Sequence, residues 1–137
     1  MPIPNPESRR RGIRFHDLHH VATGYGTDFV GEAEISAWEL RRGLRRVGLF
    51  VGAIVLSAVL MGLLVAPRRP WRAYRASGSG PSLFHGTIPY ETLLGMSVAE
   101  LRAALGVPPE GLSREPRRLH ARAPRSAPDA GQLRTDA

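Results

Sequence analysis

An all-α fold, a small helical bundle with one long apolar helix and disordered tails at both ends, is what this sequence predicts. Three observations carry that reading. Residues 47–66 form a run of 20 residues without a charge, ended by Pro67. Helix-boundary chemistry recurs along the chain, most clearly in Ser97-Val98-Ala99-Glu100, a capping box. No segment shows the strict apolar–polar alternation of a half-buried strand.

The elements follow in order. A first helix is expected over residues 14–23, broken by the two glycines of Gly24-Tyr25-Gly26-Thr27. Thr27 or Asp28 is the natural N-cap of a second helix through Glu32, Trp38 and Leu40, with acidic residues early and Arg41, Arg42, Arg45 and Arg46 late, the order that suits the helix dipole. The apolar run over 47–66 is about 30 Å long at 1.5 Å per residue, the thickness of a hydrocarbon core. It reads as a membrane helix or as the central helix of an all-α domain. Its small residues recur at spacing four (Gly48 and Gly52, Ala53 and Ser57, Ala58 and Gly62), a pattern that permits close helix packing. Arg68-Arg69-Pro70-Trp71-Arg72-Ala73-Tyr74-Arg75 suits a membrane interface or a phosphate site. Residues 76–82 read as a Gly/Ser linker. Pro89 opens a short helical turn, and Ser97 caps a helix to Leu105 that Gly106 and Pro108 stop.

The 137 residues are enough for one small domain. Residues 1–12 and 113–137 are rich in Pro, Arg and small polar residues and cannot bury enough apolar surface to offset their entropy. The foldable unit is 13–112. With no cysteine, disulfides and thiolate metal sites are excluded, and a metal must be held by nitrogen and oxygen. The net charge of +7 favours anionic partners. Many of the arginines fall in the tails, where a charge run is usually solvated, and no nucleic-acid module signature is present, so specific nucleic-acid binding is not expected. Ser8-Arg9-Arg10-Arg11 is followed by polar FHDLHH rather than an apolar core, which excludes an export signal.

Chemistry concentrates in residues 16–32. His16 and His20 stand four apart, so on a helix their rings project from one face and can meet at one ion. Asp17 is one step round the helix and offers an oxygen ligand or orients one. Glu32 follows twelve residues after His20, across a glycine-broken loop that can return it to the first helix. Two imidazoles with carboxylates suit zinc, iron or manganese with room left for water or substrate. The plainer alternative is a solvated polar helix face. A zinc-protease helix is disfavoured because Asp17 stands where that motif has glutamate. His19 is expected to be exposed or to support the site from behind, His85 and His120 to be solvated, Tyr25 to pack, and Asp28 to cap. Arg72 and Arg75 fit a substrate carboxylate, a lipid phosphate or plain solvation.

The pattern His-Asp-x-x-His, eleven residues, then Glu resembles the signature of the coenzyme Q biosynthesis protein 4 family. The flanking His-Asp-Leu-x-His-Val-x-Thr-Gly-Tyr-Gly-Thr-Asp and Gly-Glu-Ala agree, and Trp71 to Arg75, Pro89-Tyr90-Glu91-x-Leu93-Leu94 and Leu101-Arg102-x-x-Leu105-Gly106-Val107 are similar to the family's closing segment. The likeness spans residues 13–112. It implies an all-helical fold and a divalent metal, zinc first and iron or manganese next, held by His16, Asp17, His20 and Glu32. It implies a prenylated aromatic lipid substrate, a polyprenylated 4-hydroxybenzoate-type intermediate that loses its C1 carboxylate oxidatively, hence a metal-dependent decarboxylase (a lyase). The implied partners are a membrane surface and the other ubiquinone-biosynthesis enzymes, with a homo-oligomer left open. The implied location is peripheral, on the cytoplasmic face of a bacterial inner membrane. A non-catalytic scaffold for those enzymes and a single-span membrane protein through 47–66 are the alternatives. The chain departs from the family in two places: only fifteen residues precede His16, where members carry further helices, as in a member shortened at its N terminus; and residues 76–81 are unusually rich in Gly and Ser.

Overall fold

The computed structural model describes residues 6–114. Among them are six α-helices, one short 3-10 turn and no strand, so the all-α expectation holds. In chain order the helices are α1 (Pro6–Thr23), α2 (Phe29–Arg42), α3 (Gly48–Val65), α4 (Arg68–Ser77), α5 (Tyr90–Leu94) and α6 (Val98–Leu105), with the 3-10 turn Leu83–His85 between α4 and α5. The tail from residue 115 onward lies outside the described residues.

α2 is the centre of the fold. It buries Ile35, Ala37 and Trp38 along with the polar Glu34, Ser36, Glu39 and Arg42, and packs on both α3 and α4. Asp28 is its N-cap, as the sequence predicts, although its side chain makes no capping hydrogen bond. α1 crosses α2 and also touches α3, α6 and the 3-10 turn. It starts at Pro6, two turns before the expected Arg14. Residues 6–12, expected to belong to a disordered segment, are thus helical. Gly12 lies against Val51 of α3, and Arg9 and Arg11 stack on Phe50 and Phe15 at 5.7 and 5.6 Å. Those contacts supply the apolar burial that the segment's own composition lacks.

α3 is the charge-free helix the sequence marks out. It is long and apolar enough to cross a membrane. Only Val55, Val59 and Gly62 are buried in the fold, while Leu49 is 92% and Leu64 79% exposed. A central core helix would be mostly covered; this one is covered along a single stripe. Where that stripe meets α2 the backbones are close. A Cβ at Gly62 would overlap that of Ala33 and lie 3.0 Å from Cγ of Pro70. Gly62→Val is therefore expected to destabilise the fold by about 1–3 kcal/mol through overpacking, read as a lower denaturant midpoint with an unchanged slope.

α4 occupies the basic aromatic stretch for which the sequence reading assigned no helix. Pro70 falls within its first turn, where a missing N–H costs nothing. Its inner face, Pro70, Ala73 and Ser77, packs on α2. Arg69 makes a two-pronged pair with Glu34 at 3.1 and 3.0 Å. Buried Arg42 donates to the carbonyls of Ser77, Pro81 and Leu105, fastening the 76–82 linker and the end of α6 to α2. α6 carries the predicted capping box, with Ser97 accepting from the Glu100 N–H and Glu100 accepting from the Ser97 N–H.

Candidate metal centre

Three of the four residues marked by the motif converge. His16 and His20, one turn apart on α1, bring their Nε2 atoms to 3.1 Å from each other. The Glu32 carboxylate, from the first turn of α2, faces both: Oε2 is 3.1 Å from His16 Nε2 and Oε1 is 3.2 Å from His20 Nε2. The ring planes stand at 88°, so each nitrogen points inward from its own direction. Asp17 does not join them. It is exposed and outside the group formed by His16, His20 and Glu32. One residue is about 100° round an α-helix, and that step turns Asp17 away from the face that α2 covers.

The far nitrogens of both rings are held. His20 Nδ1 donates to the carbonyl of Tyr25 at 3.0 Å. His16 Nδ1 donates to Glu39, 2.9 Å from Oε1 and 3.1 Å from Oε2. Each ring therefore presents Nε2 to the centre, as a metal-binding histidine does when its other nitrogen is engaged by a carboxylate or carbonyl. Glu39 is the residue that the sequence reading missed. It lies seven residues, two turns, after Glu32 on α2, a spacing that keeps it on the same face and was the available signal.

Behind Glu39 sits His19, wholly buried. Its Nδ1 donates to Glu39 Oε1 at 2.7 Å and its Nε2 accepts from the Leu83 N–H at 3.1 Å. An imidazole that accepts at Nε2 must be neutral with its proton on Nδ1. Its lowered pKa agrees: burial outweighs the attraction of Glu39. The alternative of an exposed His19 is thus replaced by a buried post between α1, α2 and the 3-10 turn, packed edge-on against Phe84 and beside Trp38. Glu39 itself is held below the usual carboxylate range, because the hydrogen bonds from His16 and His19 overcome the cost of its burial. His85, expected to be solvated, is half-buried; His120 lies outside the described residues. Tyr25 packs in the core as expected, and burial raises its hydroxyl pKa.

Burial opposes a charge on His16, but Glu39 and Glu32 more than compensate and raise the imidazole to about 9. Without a metal the centre thus holds a proton at neutral pH on His16, shared among acceptor atoms that would otherwise face one another with lone pairs alone. Because this pKa is raised above the ordinary imidazole value of 6.5, the associated stability is complete below pH 6.5 and is lost as pH rises through 9. The expected loss in the metal-free protein is about 3 kcal/mol. Denaturant titrations across that range read it directly, and a flat profile would contradict it.

The donor set fits a divalent ion. A tetrahedral ion with bonds of roughly 2.1 Å separates its ligand atoms by about 3.4 Å, and the separations here are 3.1, 3.1 and 3.2 Å. Two imidazoles and one carboxylate on one side leave the remaining positions open, as in catalytic zinc sites and in the facial triads of non-haem iron. No protein-family model, curated protein or solved structure matches this chain.

Proposed function

We propose that the chain is a membrane-associated ubiquinone-biosynthesis protein. In this reading His16, His20 and Glu32 hold a divalent metal, zinc or else iron or manganese. The reaction is oxidative removal of the C1 carboxylate from a polyprenylated 4-hydroxybenzoate-type intermediate: the carboxylate leaves as carbon dioxide, a C1–oxygen bond replaces the bond broken, and the two electrons released pass to dioxygen as the external oxidant. The observation that supports it most is the convergence of those three side chains with both Nδ1 atoms already engaged.

The ion, when bound, supplies Lewis-acid polarisation of the phenolic ring's oxygens, with redox chemistry available only to iron or manganese. The protein's own part is positional. Glu39 fixes the tilt of His16 and the Tyr25 carbonyl that of His20, so the ligand atoms need no reorganisation. The exposed apolar face of α3 is the natural track for a prenyl tail, since it offers Ile54, Leu60, Met61 and Leu64 with no charged residue among them. Attachment from one side of the membrane suits this fold better than a span. α2 packs along α3 and carries Glu32, Glu34 and Glu39, carboxylates that would be costly to draw into hydrocarbon. Carbonate extraction should therefore release the protein from membranes; retention in the pellet would favour the single-span alternative.

The test is a purified chain assayed for bound metal and for C1 decarboxylation of a short-tailed substrate. His16→Ala and Glu32→Ala should abolish both; if neither quantity changes, the reading is wrong. One observation favours the scaffold alternative. The same residues tie α1 to α2 through Glu39, so an ion here would also brace the fold. A folded Glu32→Gln variant with normal quinone levels and intact recruitment of partner enzymes would select the scaffold.

A further inference from the structure

A face of α1 turned away from the histidines lines a cleft of about 370 Å³ with the loop that leads into α5, within the size range of small-ligand sites. Arg10, Arg11 and Arg14 reach into it, with Glu7 as the one carboxylate lining it among the described residues and Phe15 and Tyr90 among its apolar walls. His16 and His20 lie about a third of a helical turn round α1 from Arg10 and Arg14, and neither they nor Glu32 line the cleft, so the cleft and the metal centre are separate. The sequence reading assigned Arg10 and Arg11 to a solvated tail. On the folded chain they are instead grouped at one opening with Arg14.

Positive charge is crowded at this opening, with Glu7 offsetting part of it. Arg10 and Arg14 are like charges at i and i+4, which destabilise a helix, and Arg11 lies beside them. Two of the three guanidiniums are held by rings: Arg11 lies 5.6 Å from the Phe15 centroid and Arg14 5.3 Å from that of Tyr90. Stacking occupies the flat face of a guanidinium and leaves its in-plane N–H groups available for bidentate bonding. Gly86, in the left-handed region at φ 68°, makes room for this: a Cβ there would overlap the Arg11 Nη2. Three guanidiniums against one carboxylate give a local charge of +2. That matches a phosphate monoester, which carries about −1.5 to −2 at neutral pH with three acceptor oxygens.

We infer that the cleft between α1 and residues 86–90 binds a phosphate monoester dianion, its phosphoryl group on Arg10, Arg11 and Arg14 and its apolar part against Phe15 and Tyr90. This site stands apart from the metal centre and does not depend on the reaction proposed there. The chemistry has two sources, a soluble organic phosphate or the headgroup of an anionic lipid, and two probes separate them. One is phenyl phosphate, followed by calorimetry on the full chain in non-ionic detergent. The other is flotation with four-to-one phosphatidylcholine–phosphatidate vesicles. Arg11→Gln/Arg14→Gln is compared with Arg41→Gln/Arg45→Gln, which removes the same charge at exposed positions outside the cleft. Removing like charges from a helix face should leave the fold intact, which the helical circular dichroism signal checks. The cleft variant is expected to weaken at least one probe by about tenfold or more, with the control close to wild type. Loss of phenyl phosphate alone names a soluble phosphate. Loss of vesicle binding, with or without the other, names a headgroup. If the cleft variant matches wild type on both probes, or the control falls as far as the cleft variant, the inference is overturned.

Discussion

Glu39→Ala is expected to lower the stability of the fold by about 3–5 kcal/mol, the cost of removing one partner from a buried charged network. Glu39 is fully buried and, among the described residues, is the acceptor for both His16 Nδ1 and His19 Nδ1. Its loss leaves the His19 N–H without a partner in a position that water does not reach. It also frees the His16 ring to turn away from Glu32. For a domain of roughly 100 residues each kcal/mol shifts the melting temperature by about 4–8 °C, so the variant should melt at least 12 °C or so below wild type. Glu39→Gln separates shape from charge. The amide fills the same volume and can still accept from one imidazole, so its destabilisation should be smaller. The His16 imidazole, however, loses its principal attractive partner and should titrate well below 9. A nuclear magnetic resonance titration of the His16 ring reads this, and an unchanged His16 in the Gln variant would show that Glu32 alone sets its charge.

Metal affinity gives the second large effect. His16→Ala, His20→Ala and Glu32→Ala each remove one of three ligand atoms and should reduce zinc affinity by at least a hundredfold, since even outer partners of a metal ligand cost about 10–100-fold when removed. Asp17→Ala should bind zinc like wild type, because its side chain lies outside the converging group. That outcome separates the geometry from the motif, which counts Asp17 as a ligand. The affinity should also depend on pH. The ion must displace the proton that His16 carries up to about 9. Apparent affinity should therefore fall about tenfold for each pH unit below that value. Calorimetry in two buffers of different ionisation enthalpy would count the proton released; none released at pH 7 would contradict the assignment of His16.

The parts of the fold that were legible in the sequence are those whose signal is local. A charge-free run closed by a proline could only be one helix, and α3 ends within a residue of the expected limits. A capping box reads the same in sequence and structure, as Ser97 and Glu100 demonstrate. The start of α1 was not legible, because Arg9 and Gly12 meet Phe50 and Val51 on α3 and Arg11 lies over Phe15, contacts that propensity does not announce. α4 was hidden by Pro70, a helix breaker except in the first turn, where it lies. At the site, the i, i+4 spacing placed His16 and His20 correctly and the glycine loop returned Glu32 to them. Asp17 followed the motif rather than the helix geometry. Glu39 was passed over, and of the two places expected for His19 it takes the one behind the site; what joins the two is burial, which two helices create only once they are packed.

Zinc K-edge X-ray absorption on the chain loaded with one equivalent of zinc tests the central claim most directly. A first shell of nitrogen and oxygen near 2.0–2.1 Å with the multiple-scattering signature of two imidazoles, reduced to one in His20→Ala, is the expected spectrum. A shell without imidazole scattering, or one that His20→Ala leaves unaltered, would mean that the ion binds elsewhere and that the α1–α2 cluster is a hydrogen-bonded brace.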